Sequence, residues 1–250
     1  MDVEEYRAMY VAEKTNWWFV GKSDLIKIIL RSIVKSKIKD TKIISILDVG
    51  CGTGTRLEEM SGKYEDVIGI DISHDALRYA RMRGCFNMIC ANAQSLPIKT
   101  ESLDVVLLLD VLEHIEEDYT AIKEVYRVLR EDGFLIITVP AHKFLWSLHD
   151  KYLHHKRRYN KDDLCYILEK NKFEIKRLTY WNMFMFFPVT LMVPFRNVVE
   201  FMSIRKKRRY LLPDLLNSIL LSVLRIENKK IVMGNNLPFG TSIVCIAKKL

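Results

Sequence analysis

A doubly wound α/β fold around a buried, mostly parallel sheet is what this sequence predicts, and three observations carry the prediction. Apolar runs alternate with helix-like stretches over most of the chain. The runs are continuously apolar, as strands covered on both faces must be, rather than apolar at every second residue. The first run leads straight into three closely spaced glycines, Gly50, Gly52 and Gly54. A backbone without Cβ atoms turns tightly there and lets a ligand lie against it.

Taken in order, residues 6–20 form an aromatic-rich N-terminal piece with Tyr6, Tyr10, Trp17, Trp18 and Phe19. A helix is expected over about 22–38, where Leu25, Ile28, Ile29 and Ile33 share a face. Strands are expected at 43–49, 66–71, 86–91, 103–109 and 133–139, and helices at about 54–61, 74–83 and 117–130. Asp132 and Gly133 close the last of these helices. Asn160 is a good cap for a further helix, with Asp162 and Asp163 in the first turn at its positive end. Strands at about 173–181 and 241–247 complete the sheet. Between them, 183–232 reads as an insertion: an apolar opening, the basic run 205–209, and an apolar helix candidate at 215–221. Three parts are expected: a helical aromatic cap over 1–40, a binding domain made of 41–182 with 233–250, and the inserted 183–232.

The 250 residues suit one large domain with additions, and 49% hydrophobic with 28% charged residues describe an ordinary globular chain. Five cysteines, odd in number and without a C-x-x-C pair, argue against a disulfide framework and for a reducing cytoplasm. Residues 1–5 are acidic and precede no apolar stretch, so no secretory signal is expected. Residues 196–250 hold eleven Lys and Arg against three acids and so account for the whole net charge of +8.

In a doubly wound sheet, ligands bind at the carboxyl ends of the strands. The first such end carries Asp48 and the glycines, spaced G-x-G-x-G rather than the G-x-G-x-x-G of a dinucleotide loop. The second carries Asp71, 17 residues beyond Gly54, where a carboxylate can accept from both hydroxyls of a ribose. Asn92 and Ala93 follow the third strand, and Asp110 follows the fourth, with Glu113 and His114 just beyond. Singly, each has a plainer reading; Asp71 could simply cap the helix at 74–83. Their joint occurrence in register with the strands points to a nucleoside-bearing cofactor.

These stretches resemble the class I S-adenosylmethionine-dependent methyltransferases: LDVGCGTG (47–54), VIGIDIS (67–73), NAQSLPI (92–98), LDVVLLLDVLEHI (103–115) and YRVLREDGFLIITVP (126–140). The likeness is greatest to the methyltransferase type 11 group, which includes quinone-biosynthesis enzymes. It implies a Rossmann-like sheet of seven strands, the last antiparallel, and S-adenosylmethionine as cofactor. It implies that Gly50, Gly52 and Gly54 approach the cofactor's methionine portion, with Asp48 near the amino group. Asp71 would hold the ribose hydroxyls, Ile72 would pack on adenine, Asn92 and Ala93 would meet the adenine edge, and Asp110 would line the methionine end. The family usually has Asp where Asn92 stands, an amide that still accepts from the adenine amino group.

A sulfonium methyl is already activated, so alignment matters most, and a base is needed only for an acceptor that must lose a proton. The base candidates are His142 and His149, in a run after the fifth strand that also holds Trp146, Asp150, His154, His155, Arg157, Arg158 and Tyr159. Trp17, Trp18, His114, Trp146, His155 and Tyr159 are the candidate acceptor-binding residues. Relatives of this group often share Trp17-Trp18 and the late Pro238-Phe239-Gly240-Thr241-Ser242 pattern. His149, Asp150, His154 and His155 could bind a divalent metal, but they show no helical histidine pair with a carboxylate, and no metal site is expected.

Residues 183–195 are too few to cross a membrane, yet with the basic run they suit a peripheral contact with an anionic surface. A helical lid over the acceptor pocket explains them equally well. Nucleic acid is not expected, since no proline is followed by Pro or Cys. The expected function is therefore methyl transfer, preferably to oxygen, on a small or lipophilic acceptor in the cytoplasm, with the inner membrane face as a further location. The rivals are an NAD-dependent oxidoreductase, which the glycine spacing disfavours, and a cofactor-binding module without catalysis.

Overall fold

The apolar run behind the glycines becomes β1 (Ser45–Val49), buried along its whole length inside the sheet. The structure, a computed structural model, describes residues 3–37, 44–195 and 212–250. The remaining strands are β2 (Asp66–Asp71), β3 (Met88–Cys90), β4 (Leu103–Leu109), β5 (Leu129–Pro140), β6 (Phe173–Trp181) and β7 (Ser242–Lys249). They form one seven-stranded sheet in the order β3-β2-β1-β4-β5-β7-β6. The first five pair in parallel, and β7 runs antiparallel between β5 and β6. This is the doubly wound sheet with an antiparallel last strand that the sequence implies.

The helices are α1 (Val3–Ala12), α2 (Trp17–Lys37), α3 (Thr55–Met60), α4 (His74–Met82), α5 (Asp118–Val128), α6 (Leu148–Tyr152), α7 (Lys161–Lys170), α8 (Phe186–Met192) and α9 (Asp214–Val232). The aromatic N-terminal piece is thus helical, and α2 begins earlier than its apolar face suggests. Asn16 accounts for that start: its side-chain oxygen accepts from the Trp18 N–H at 3.0 Å, an N-cap bond. Helix α5 stops two residues short of the expected end, because Leu129 already pairs with Leu103. A Cβ on Gly133 would lie 2.8 Å from the Arg130 carbonyl oxygen, so the kink between these residues needs glycine.

Alternate residues of the central strands feed two cores. Leu47, Val49, Val106, Leu108 and Ile137 pack with Ile122, Val125 and Leu164 of α5 and α7. Ile46, Val105, Leu107, Ile136 and Val244 pack on the other face with Leu25, Ile26, Ile29 and Leu30 of α2, and with Leu224 and Ile231 of α9. Helix α9, read from sequence as part of an insertion, is therefore a component of one face of the sheet. A Cβ on Gly21 would stand 2.5 Å from Leu224 Cδ1, so glycine is what lets α2 and α9 approach. Asn228 ties the two together, donating to the Gly21 carbonyl at 2.8 Å and accepting from Trp181 Nε1 at 2.8 Å. The basic run 205–209 lies outside the described residues. Among those described, no helix is long and apolar enough to cross a membrane.

Candidate functional site

A cavity of about 1650 Å³ opens at the carboxyl ends of β1, β2 and β4. Each glycine of the loop after β1 has positive φ, the left-handed region that favours glycine. Their surroundings differ. A Cβ on Gly50 would meet Val111 Cγ2 at 2.4 Å, whereas one on Gly52 would enter the open space of the cavity. A Cβ on Gly54 would lie 2.6 Å from that of Ala80, so Gly54 serves the packing of the loop against α4 and does not line the cavity.

The strand-end side chains converge on this space. Asp71 accepts from the backbone N–H groups of Gly52 and Ser73, both at 2.8 Å, which holds its carboxyl rigid at the rim. Burial raises the Asp71 pKa, with these same hydrogen bonds opposing the rise. Ile72 borders the cavity although 69% exposed, an apolar surface with no protein cover. Asn92, whose side-chain oxygen accepts from the Gln94 N–H at 2.9 Å, and Ala93 line the same end. Asp48 is fully buried, and its Oδ2 has no hydrogen-bond partner. Burial pushes this carboxyl up to about 7.

At the opposite end Asp110 takes a left-handed backbone (φ 55°), accepts from Thr138 Oγ1 at 2.9 Å and pairs with Lys22. The Lys22 ammonium also stands 3.6 Å from the centroid of the Trp18 ring, and burial lowers its pKa well below the usual lysine value. Lys22 lines the cavity although the sequence reading did not single it out, and its neighbour Glu113, noted there after the fourth strand, was given no role. The signal for Lys22 was present: a charge three residues before Leu25, on the apolar face of a helix. Glu113 sits in a 3₁₀ turn, Leu112–His114, that follows β4. It is 1% exposed, and burial pushes its carboxyl up to about 8. His114 beside it is pushed down to about 4 by burial and by the neighbouring His155.

The run after β5 divides. His149 and His155 line the cavity, as do Trp17, Trp18 and His114. His155 Nδ1 lies 2.8 Å from Asp150, whose carboxylate also accepts from Arg158 at 2.9 and 3.0 Å and from Ser147. Burial opposes ionisation of Asp150, but these hydrogen bonds outweigh it and hold the carboxyl below its usual range.

His142, Trp146 and Tyr159 do not line the cavity, contrary to expectation. His142 is drawn into an aromatic cluster, its ring stacked on Tyr180 at 4.9 Å and beside Phe144 and Phe186. Tyr159 is buried behind the site, where its hydroxyl lies within hydrogen-bond distance of Asp118 at the start of α5 (2.7 Å) and of the Leu112 carbonyl in the turn after β4 (3.2 Å). Trp146 is half-buried in the short turn that precedes α6, its N–H donating to the Lys143 carbonyl.

The N-terminal helices supply a wall. Tyr6, Met9, Glu13 and Asn16 border the cavity. Arg83 ties that wall to the glycine loop, donating to the Tyr10 carbonyl at 2.6 Å, to Glu13 at 2.9 Å and to the Thr53 carbonyl at 2.9 Å.

A family model described as a methyltransferase domain matches residues 47–137. The chain is 33% identical over 103 residues to the ubiquinone biosynthesis O-methyltransferase of Glaesserella parasuis, covering 37% of this chain and 44% of that protein. It is 29% identical over 138 residues to a probable S-adenosylmethionine-dependent methyltransferase of Mycolicibacterium smegmatis, covering 52% of each. The chain spans about half the length of the curated relatives it matches. Among solved structures, it superposes on an S-adenosylmethionine-dependent methyltransferase of Archaeoglobus fulgidus with a TM-score of 0.56 and 22% identity. That superposition covers 91% of this chain and 94% of the other, and speaks to the fold.

Proposed function

The chain carries a class I S-adenosylmethionine-dependent methyltransferase domain at residues 47–137, and we propose that it moves the methyl group of S-adenosylmethionine to an oxygen of a small, lipophilic acceptor. The observation that carries this reading is the convergence of Asp48, Gly50, Gly52, Asp71, Ile72, Asn92, Ala93 and Asp110 on one cavity.

These residues fit the cofactor. The buried, unpartnered Asp48 Oδ2 suits an ammonium group, and the open face of Gly52 suits a ligand in contact with backbone. Asp71 would hold the ribose hydroxyls, because each of its oxygens keeps a lone pair beyond the backbone bond already made. Ile72 would cover the adenine ring, and Asn92 with Ala93 would meet its edge. When bound, the cofactor supplies a sulfonium methyl that needs no further activation. Asp110, fixed by Lys22 and Thr138, would then shape the methyl end.

The acceptor reading rests on what remains of the cavity. Trp17, Trp18, Val189, Met192 and Val193 give the cavity apolar wall, with His149 and Lys22 among its polar residues. The ubiquinone biosynthesis O-methyltransferase among the relatives supports an acceptor of this kind and oxygen as the target. His149 is the base we assign for the acceptor proton; His142, outside the cavity, is not. Phe184, Phe187, Leu191 and Met192 beside α8, with Leu215, Leu216 and Ile219 of α9, expose apolar surface on either side of the undescribed basic segment. A membrane surface that delivers the acceptor would meet this rim.

Calorimetry tests the cofactor assignment. S-adenosylmethionine should bind the parent protein, and Asp71→Ala should weaken it by about tenfold or more, the loss of a charge-assisted hydrogen bond of about 1.5–3 kcal/mol. Binding of NADH in its place would overturn the reading. A screen of quinone and lipid extracts with radiolabelled cofactor identifies the acceptor. On that acceptor His149→Ala should cut turnover and leave cofactor affinity unchanged; equal turnover would remove His149 from the mechanism.

A further inference from the structure

We infer that Glu113, His114 and His155 bind one divalent transition-metal ion, zinc(II) in the first instance, on the wall of the cavity. Each residue offers one ligand atom, and the three atoms lie within 4.8 Å of one another, the one such group of His, Cys, Asp and Glu among the described residues. Small side-chain rotations close that spread to metal bonds of about 2.0–2.2 Å. The chain brings the ligands together from two places, the turn after β4 and the segment after α6. The rings of His114 and His155 stand edge to face with centroids 4.7 Å apart.

Both histidines already have one nitrogen committed. His155 Nδ1 faces Asp150 at 2.8 Å, and the His114 ring is hydrogen-bonded to the His154 backbone. Outer contacts of this kind fix the tautomer and aim the second nitrogen's lone pair, as they do around metal-ligating histidines generally. Asp150 is itself clamped by Arg158 and Ser147, so the support is rigid before any ion arrives.

The third ligand provides an independent sign. Glu113 Oε2 is buried and has no hydrogen-bond partner, while the buried ammonium of Lys22 is paired with Asp110. A carboxylate oxygen left so is costly, and a bound cation would satisfy it. Two imidazoles and one carboxylate suit zinc(II), and a three-residue set leaves a coordination position for water or a substrate oxygen. All three residues line the cavity, so that position opens into it. A role for the ion in receiving an acceptor oxygen rests on the methyl-transfer reading; binding of the ion does not.

The test is titration of the chelator-treated, full-length protein with zinc(II), followed by calorimetry. One ion per chain should bind, and Glu113→Gln and His155→Ala should each weaken it by about ten- to a hundredfold. Cys90→Ser should change nothing, although Cys90 and His74 make an exposed sulfur–nitrogen pair at 3.5 Å. No binding, binding indifferent to the first two variants, or binding abolished by Cys90→Ser would each overturn the inference. Circular dichroism in chelator checks that the variants fold. Should either fail to fold, the visible spectrum of the cobalt(II)-loaded parent decides. Ligand-field bands of a low-coordinate nitrogen and oxygen site support the inference, and a thiolate charge-transfer band or a six-coordinate spectrum refutes it. S-adenosylmethionine binding is measured on the same chelated protein, so zinc bound without that affinity would sink the methyl-transfer reading alone.

Discussion

Burial carries the Asp48 carboxyl from an ordinary 3.8 to about 7. Between those values the folded protein keeps a proton that the unfolded chain has released, so the stability contributed by Asp48 is lost as pH rises from about 4 to about 7. Asp48→Asn removes that dependence. In the absence of ligand its stability relative to the parent should climb across this window, by something on the order of a few kcal/mol in total. Melting curves whose difference stays flat with pH would show an ionised Asp48. Pairing with the cofactor's ammonium reverses the slope for binding: parent affinity should weaken as pH falls below about 7, and that of the variant should not. At this scale, the acids that the sequence places at strand ends, Asp48, Asp71 and Asp110, all line the cavity. Sequence reading gave Glu113 no role, because a lone acid after a strand looks solvated until the 3₁₀ turn buries it. His142 misled for the opposite reason, since a histidine after a strand looks available until Tyr180 stacks on it.

Across the glycine loop, one motif performs two jobs that its spacing does not distinguish. Gly54→Ala forces a Cβ to 2.6 Å from the Ala80 Cβ while holding a left-handed φ of 83°. Overpacking and backbone strain together should cost about 2–4 kcal/mol and lower the melting temperature. Gly52→Ala meets nothing closer than 4.0 Å and carries only the backbone cost of about 1–2 kcal/mol, but its methyl group stands in the cavity. Calorimetry should therefore find the larger loss of cofactor affinity in Gly52→Ala, and melting curves the larger loss of stability in Gly54→Ala. The reverse ranking would return Gly54 to the cofactor face. The strands were legible because apolar runs report burial on both faces directly. Boundaries were less so: the start of α2 is set by the Asn16 cap, and the end of α5 by a cross-strand pair at Leu129, neither of which periodicity contains.

For the whole molecule, topology decides what the sequence could not. The order β3-β2-β1-β4-β5-β7-β6 is compatible with alternating strands and helices, but the placement of α9 on α2 depends on the close approach at Gly21, some two hundred residues away. Local patterning cannot report such a contact, so a core helix read as part of an insertion. What remains of that insertion is the apolar rim around α8 and the start of α9, with the basic run between them. If this rim meets membranes, anionic liposomes should sediment the protein and added salt should release it, since clustered basic residues contribute about 1 kcal/mol each at low salt. Equal partition onto neutral liposomes, unaffected by salt, would refute the electrostatic part of the contact, and no sedimentation with either kind would leave the apolar residues as a lid alone.

The cavity is bordered by Tyr6 and Met9 at one extreme of the chain and by Thr241 and Ser242 at the other. Its walls come as short runs from both ends and from the middle of the chain, so no single segment supplies more than a part of it. Ligand affinity thus appears late, only when nearly every element has docked. Protection by the cofactor against proteolysis should consequently extend to α1 and β7 together, and a chain missing either should show none.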